Sequence, residues 1–200
     1  MTHPICLEGL ALIMHFEGLG DGDKIKPGLQ PYQDHIGVWT IGYGATYMDG
    51  QRVTKDTHTI TKLEAEALLD HDTLRFARAV DRMVEVPLHH LQRSALISFA
   101  FNLGSNALKQ STLLRCVNSH ERWDEVPYQF TRWVYAAGRR TNGLVRRRNA
   151  EADMWEKGYL ALWAEPSEQS PSLSAEPTKG EGDVLSLPHR IINRIMGIAN

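Results

Sequence analysis

Residues 32–44 read Tyr32-Gln-Asp34-His-Ile-Gly37-Val-Trp-Thr40-Ile-Gly42-Tyr43-Gly44. Aromatic and β-branched residues interrupted by glycines favour short strands, and the Asp49-Gly50 pair that follows is a tight-turn signal. The whole strand-like tract spans 32–53 and is bracketed by helical patterns. On its N-terminal side Cys6, Leu10, Ile13, Met14 and Glu17 share one face, which predicts a helix from Pro4, capped by Thr2 or His3 and ended by Gly18. The glycines and prolines of 19–31 read as an irregular loop. On the C-terminal side Thr61 and Glu64 form a capping box for a long helix to about Val84, terminated by Pro87. Further helices fit 89–103, 112–118, 122–137 and 143–157, the last capped by Asn142 and stopped by Gly158, so that everything beyond Thr59 reads as helical. The predicted fold class is α+β, a small antiparallel β-sheet lobe beside a larger helical lobe with a cleft between them.

The chain has 200 residues, 42% hydrophobic and 23% charged, a globular composition. Basic and acidic side chains nearly balance at a net −2, which gives no reason to expect nucleic acid as a partner. No apolar run of about 18 residues exists to span a membrane. The N-terminal MTHPICLEGLALIMHFEG has no basic leader and is interrupted by Glu8, so no signal peptide is expected and the expected location is cytoplasmic. Cys6 and Cys116 lack CxxC spacing and are expected as free thiols.

From Glu165 the composition shifts to prolines, serines and glutamates without an aromatic residue, which divides the chain into a body at 1–164, a disordered linker at 165–183 and a C-terminal piece at 184–200. The tail beyond 164 holds five acids and three bases, so the body carries nineteen of each. Wound as a helix, residues 189–200 put Ile191, Ile192, Ile195, Met196 and Ile198 on one side and His189, Arg190 and Arg194 on the other. An amphipathic cationic helix of this kind suits an anionic membrane surface, and docking on the body is the alternative.

Glu17 ends an apolar stripe, where partial burial and the negative end of the helix dipole both favour a carboxyl that keeps its proton, as a general acid must. A reversal centred on Gly37 would set Asp34 opposite Thr40 on neighbouring strands, a carboxylate and a hydroxyl facing one spot where a water could be held. Two carboxyls, one protonated and one ionised, are the minimal equipment for glycoside hydrolysis.

The run Glu17-Gly18-Leu19 with Tyr32-x-Asp34-x-x-Gly37-x-x-Thr40-Ile-Gly42-Tyr43-Gly44 resembles the phage lysozymes of the T-even and lambdoid type. The likeness continues through Phe99-Ala-Phe-Asn102-Leu-Gly104, Ser111-Thr-Leu-Leu, Arg122-Trp123-Asp-Glu and Gly143-Leu144-Val-Arg-Arg-Arg148. The resemblance implies a lysozyme-like catalytic domain over 1–164. By it, Glu17 is the general acid, Asp34 the carboxylate that activates water and Thr40 the hydroxyl that helps to hold that water. Asn102 and Tyr43 are implied as substrate-binding residues. The implied activity is that of an endolysin, a muramidase that hydrolyses, with inversion, the β-1,4 bond between N-acetylmuramic acid and N-acetylglucosamine in peptidoglycan. Inversion leaves room for a water and sets the carboxyls roughly 6.5–9.5 Å apart. A monomer without metal or cofactor is implied, held in the host cytoplasm until a separate membrane-permeabilising protein releases it to the periplasm. Two departures stand out: the loop between Glu17 and Asp34 is longer than in the T-even enzymes, and Ala45 follows Gly44 where the family usually has His.

Arginines at 132, 139, 140, 146, 147 and 148, with no acid between Glu125 and Glu151, read either as a basic strip facing a polyanionic wall or as a solvated face with one arginine paired to Glu17 or Glu151. Asp21-Gly-Asp23 fails as a calcium loop, because Ile25 and Tyr32 stand where oxygen ligands are needed. The histidines, His89-His90 included, have no HExxH pattern. Two rival readings remain at this stage: a lytic transglycosylase on a similar frame, which needs no water-activating Asp34 or Thr40, and a catalytically inactive wall- or membrane-binding protein.

Overall fold

The computed structural model describes residues 4–164; the expected caps Thr2 and His3, the linker and the C-terminal helix lie outside the described residues. Seven helices follow in order: α1 (Leu7–Glu17), α2 (Lys62–Met83), α3 (His90–Leu103), α4 (Ser105–Gln110), α5 (Thr112–Val117), α6 (Val126–Thr131) and α7 (Asn142–Ala161), with a 3-10 segment at His120–Glu125 before α6. Six two-residue strands pair as three separate antiparallel hairpins: β1 (Tyr32–Gln33) with β2 (Trp39–Thr40), β3 (Tyr47–Met48) with β4 (Gln51–Arg52), and β5 (Tyr135–Ala136) with β6 (Arg139–Arg140). The compact unit that contains them ends at Leu162.

The core is organised around α3. Its Ala95, Leu96, Ile97, Phe99 and Ala100 are fully buried, and it packs against α1, α2, α4 and α7. Phe99 meets Phe130 edge-on with ring centroids 5.7 Å apart, and Trp123 meets Trp155 in the same way at 5.5 Å. Each such buried aromatic is worth about 3–5 kcal/mol against truncation to alanine.

Several sequence expectations hold. Thr61 and Glu64 form the capping box of α2, Asp49 and Gly50 make the β3–β4 turn with φ of 51° and 75°, and Gly18 closes α1. Others need correction. Helix α1 begins at Leu7 rather than Pro4, because the Cys6 sulfur caps it by accepting from the Gly9 N–H; that cysteine is half-buried, whereas Cys116 is in the core, and both are free thiols. The helix expected over 122–137 is broken: its start lies in the 3-10 segment, where Arg122 leaves helical geometry, α6 runs only from Val126 to Thr131, and the chain then turns at Ala137 and Gly138, with φ of 47° and 73°, between β5 and β6. Thr141 rather than Asn142 caps α7. Gly158 does not stop that helix: a Cβ there would lie 2.8 Å from Gln92 Cγ, so the glycine permits close approach to the start of α3. Among the described residues no helix is long and apolar enough to cross a membrane.

Candidate active site

The last residue of α1 carries the first candidate. Glu17 Oε1 accepts from Arg147 Nη1 at 2.7 Å, with 27% of the glutamate side chain and 4% of the arginine side chain exposed. Sequence left open which arginine reaches Glu17, and the structure answers that it is Arg147 of α7. Behind it lies a buried network. Glu151, fully buried one turn further along α7, accepts at Oε1 from Ser98 Oγ (2.7 Å), Arg148 Nη2 (2.9 Å) and Arg147 Nε (3.4 Å). Arg148 Nη2 also donates to Asn102 Oδ1 at 3.1 Å. Burial pushes the Glu151 carboxyl above its ordinary value against the pull of the two arginines. Burial likewise draws Arg148 down to about 10.

The arginine group therefore divides. Arg132, Arg139, Arg140 and Arg146 are exposed, but Arg147 and Arg148 are 3% and 0% exposed, so the predicted strip is not one solvated face. The guanidiniums of Arg147 and Arg148 lie over the rings of Phe16 and Phe99. A cavity of about 550 Å³ opens beside Glu17, bounded by its chain neighbour Phe16, its ion-pair partner Arg147, and by Asn102, Thr141, Leu144 and Arg146.

The hairpin β1–β2 carries the second and third candidates. Its register pairs Tyr32 with Thr40 and Gln33 with Trp39, and Asp34 N donates to Val38 O. Asp34 and Thr40 are thus not opposite each other as expected. The reversal centres on Ile36 and not Gly37, which puts the two residues on the same side of the ribbon in diagonal positions. Gly37, at φ 81°, completes a three-residue turn by donating its N–H to Asp34 O. Asp34 Oδ1 accepts from the Ile36 and Val38 N–H groups at 3.0 and 2.8 Å, so one carboxylate oxygen is locked to the backbone. Thr40, 3% exposed, donates its hydroxyl to Tyr32 O at 3.3 Å, leaving lone pairs able to accept.

Tyr43 is 8% exposed and packs in the core rather than lining the cavity. Ala45, at the position where the resembled family has His, is buried and pairs its backbone with Ile41. Sequence reasoning missed Ser98 altogether, and it missed that Arg148 links Glu151 to Asn102.

Comparison with known proteins gives a consistent result. The family described as phage lysozyme matches residues 24–151, a span that holds Asp34, Thr40, Asn102 and the arginine network and begins after Glu17. The chain is 36% identical over 130 residues to a SAR-endolysin of Bacteriophage PS119, covering 64% of this chain and 75% of that protein. It is 39% identical over 125 residues to a SAR-endolysin of Escherichia phage Mu, covering 62% and 70%. Among solved structures, the endolysin from Escherichia coli O157:H7 phage FAHEc1 aligns with a TM-score of 0.66 at 31% identity, over 78% of this chain and 93% of that one. The muramidase domain of SpmX from Asticaccaulis excentricus aligns with a TM-score of 0.60 at 35% identity, over 77% and 98%. The α+β frame is thus shared with these proteins, and the chain belongs to the phage lysozyme family of glycoside hydrolases.

Proposed function

We propose that this protein is a phage endolysin whose muramidase chemistry is divided between Glu17 and Asp34. The observation that carries the reading is Glu17 at the end of α1, held by Arg147, which lines a polar cavity together with Asn102. Glu17 delivers a proton to the glycosidic oxygen. Asp34, with one oxygen fixed by the turn, takes a proton from water on the opposite face of the sugar, and Thr40 holds that water. Asn102 binds the sugar chain, and its amide orientation is set by Arg148. Peptidoglycan is the substrate, and inversion is the stereochemical course.

On purified sacculi, Glu17→Gln and Asp34→Ala should each cut turnover by about 10²–10⁴-fold with the far-ultraviolet spectrum unchanged. New ends should be reducing muramic acid, initially in the α configuration. Near wild-type turnover in either variant, or 1,6-anhydro ends, would overturn the assignment.

Two finer parts of the reading rest on sequence. The one-sided apolar and cationic pattern of 189–200 supports contact with an anionic membrane. Deleting 165–200 should then preserve hydrolysis of purified peptidoglycan while weakening binding to anionic vesicles; unchanged vesicle binding rejects the contact. Release to the wall by a separate membrane-permeabilising protein is the second part, and it predicts that the chain expressed alone leaves cells intact until such a protein is co-expressed.

A further inference from the structure

Most of the charged side chains sealed in the core form one connected group. Three donors converge on Glu151 Oε1, from Ser98 on α3 and from Arg147 and Arg148 on α7. The two guanidiniums then part. Arg147 reaches Glu17, and Arg148 reaches Asn102. Glu151 Oε2 and Arg148 Nε and Nη1 are buried with no hydrogen-bond partner among the described residues. A buried ionic cluster that leaves polar atoms unsatisfied is a poor stabiliser, since apolar residues of similar volume commonly do as well or better. Its geometry, however, fixes two side chains of the proposed site from a single point.

We propose that Glu151 is a positioning residue for catalysis: a single one of its buried carboxylate oxygens, Oε1, sets Arg147 against Glu17 and Arg148 against Asn102, so that the acid and the sugar-binding amide are aligned by a common group. This rests on the roles assigned to Glu17 and Asn102 above. Arg147 is held from three directions, with Nη1 on Glu17, Nε on Glu151 and Nη2 on the Ser98 carbonyl, and cannot turn toward one without leaving another. Arg148 Nη2 is shared between Glu151 and Asn102 in the same way. Displacing a catalytic group by about 1 Å costs on the order of 10²-fold in rate, so loosening the hub is felt at both branches.

The test is a mutant cycle measured on soluble peptidoglycan fragments well below each variant's melting temperature, with folding verified by circular dichroism. Arg147→Lys should act mostly on kcat and Arg148→Lys mostly on KM, whereas Glu151→Gln should lower kcat by roughly ten- to a hundredfold and raise KM severalfold. Because Glu151 acts on the acid through Arg147, the double variant of these two should lose no more in kcat than the worse single one. A merely structural role predicts lower melting temperatures with normal kinetics per folded molecule, or losses that add. Either result overturns the proposal, as does a folded Glu151→Gln with wild-type kcat and KM. Should Glu151→Gln not fold, Ser98→Ala carries the test: it removes the shortest contact to Glu151 and touches neither Glu17 nor Asn102, and it should still lower kcat severalfold, wild-type kinetics being the overturning result. Glu17→Gln run alongside separates the two levels. If it retains turnover, the functional reading fails; if it is inactive while the Glu151 and Ser98 variants are normal, only the hub is wrong.

Discussion

The two halves of the site are held in opposite ways. Glu17 is fixed by side chains from helices far away in sequence, through a sealed ionic network that includes Arg147 and Glu151. Asp34 is fixed by the backbone of its own turn, through the N–H groups of Ile36 and Val38, on a hairpin whose tip residue Ile36 is 72% exposed. The difference teaches that one carboxyl depends on tertiary packing for its position, while the other borrows its rigidity from main-chain hydrogen bonds within its own turn.

The largest expected effect separates chemistry from scaffold in the hairpin half. Asp34→Asn retains an oxygen that accepts both turn N–H bonds but removes the proposed base, so activity on sacculi should fall by about 10²–10⁴-fold while the melting temperature stays within a degree or two. A large drop in melting temperature would show that the charge, and not the turn geometry, holds the hairpin. In the helical half a single truncation touches both. Glu151→Ala strands two buried guanidiniums and should cost about 3–5 kcal/mol by denaturant unfolding, together with activity; a loss below 1 kcal/mol would mean that water enters the network freely.

A smaller effect is expected of Gly37→Ala. No atom stands near the added methyl, so the penalty is backbone strain at φ 81°, about 1–2 kcal/mol, with activity falling by more than the stability loss explains because Asp34 rides on the turn. Equal proportional losses would deny the turn its role in aiming the carboxylate.

The smallest effect comes from a carboxyl outside both halves. Burial raises Asp72 on α2 above the ordinary aspartate value of 3.8, opposed by Arg75 and His71. The folded protein then holds that proton at pH values where the unfolded chain has released it, so the group's contribution falls as pH rises past the ordinary value. Asp72→Asn should accordingly raise the melting temperature slightly at neutral pH and leave it unchanged in acid. A lower melting temperature at neutral pH would show that the two cations outweigh burial.

Much of this was legible in the residues. The capping box at Thr61 and Glu64, the turn at Asp49-Gly50 and the glycine end of α1 are short-range signals, and the structure keeps each of them. The hairpin register was off because a turn's centre depends on which backbone N–H groups the Asp34 side chain captures, a matter that spacing alone does not decide. The region 132–137 was misread because Trp133 and Val134 continue a helical spacing while the positive φ at Ala137 needs the fold to show it. The hub did leave a trace. Arg148, Glu151, Ala152 and Trp155 follow helical spacing, and two of them, Ala152 and Trp155, are core types, so two charged residues stand on a stripe that is otherwise apolar. Identifying their partners required Ser98 and Asn102 from a different helix, which no local pattern supplies.

The contact between Arg147 and Glu17 joins residues 130 apart in sequence, whereas Asp34 and Val38 are four apart. Closing a short loop is fast and a long one carries a larger entropic toll. During refolding the Asp34 turn therefore assembles on its own, early, and Glu17 is set only when α7 docks against α1 and α3. If the proposed role of Glu17 holds, enzymatic activity reports the completion of this closure across 130 residues, and its return after denaturation should trail the recovery of helical signal.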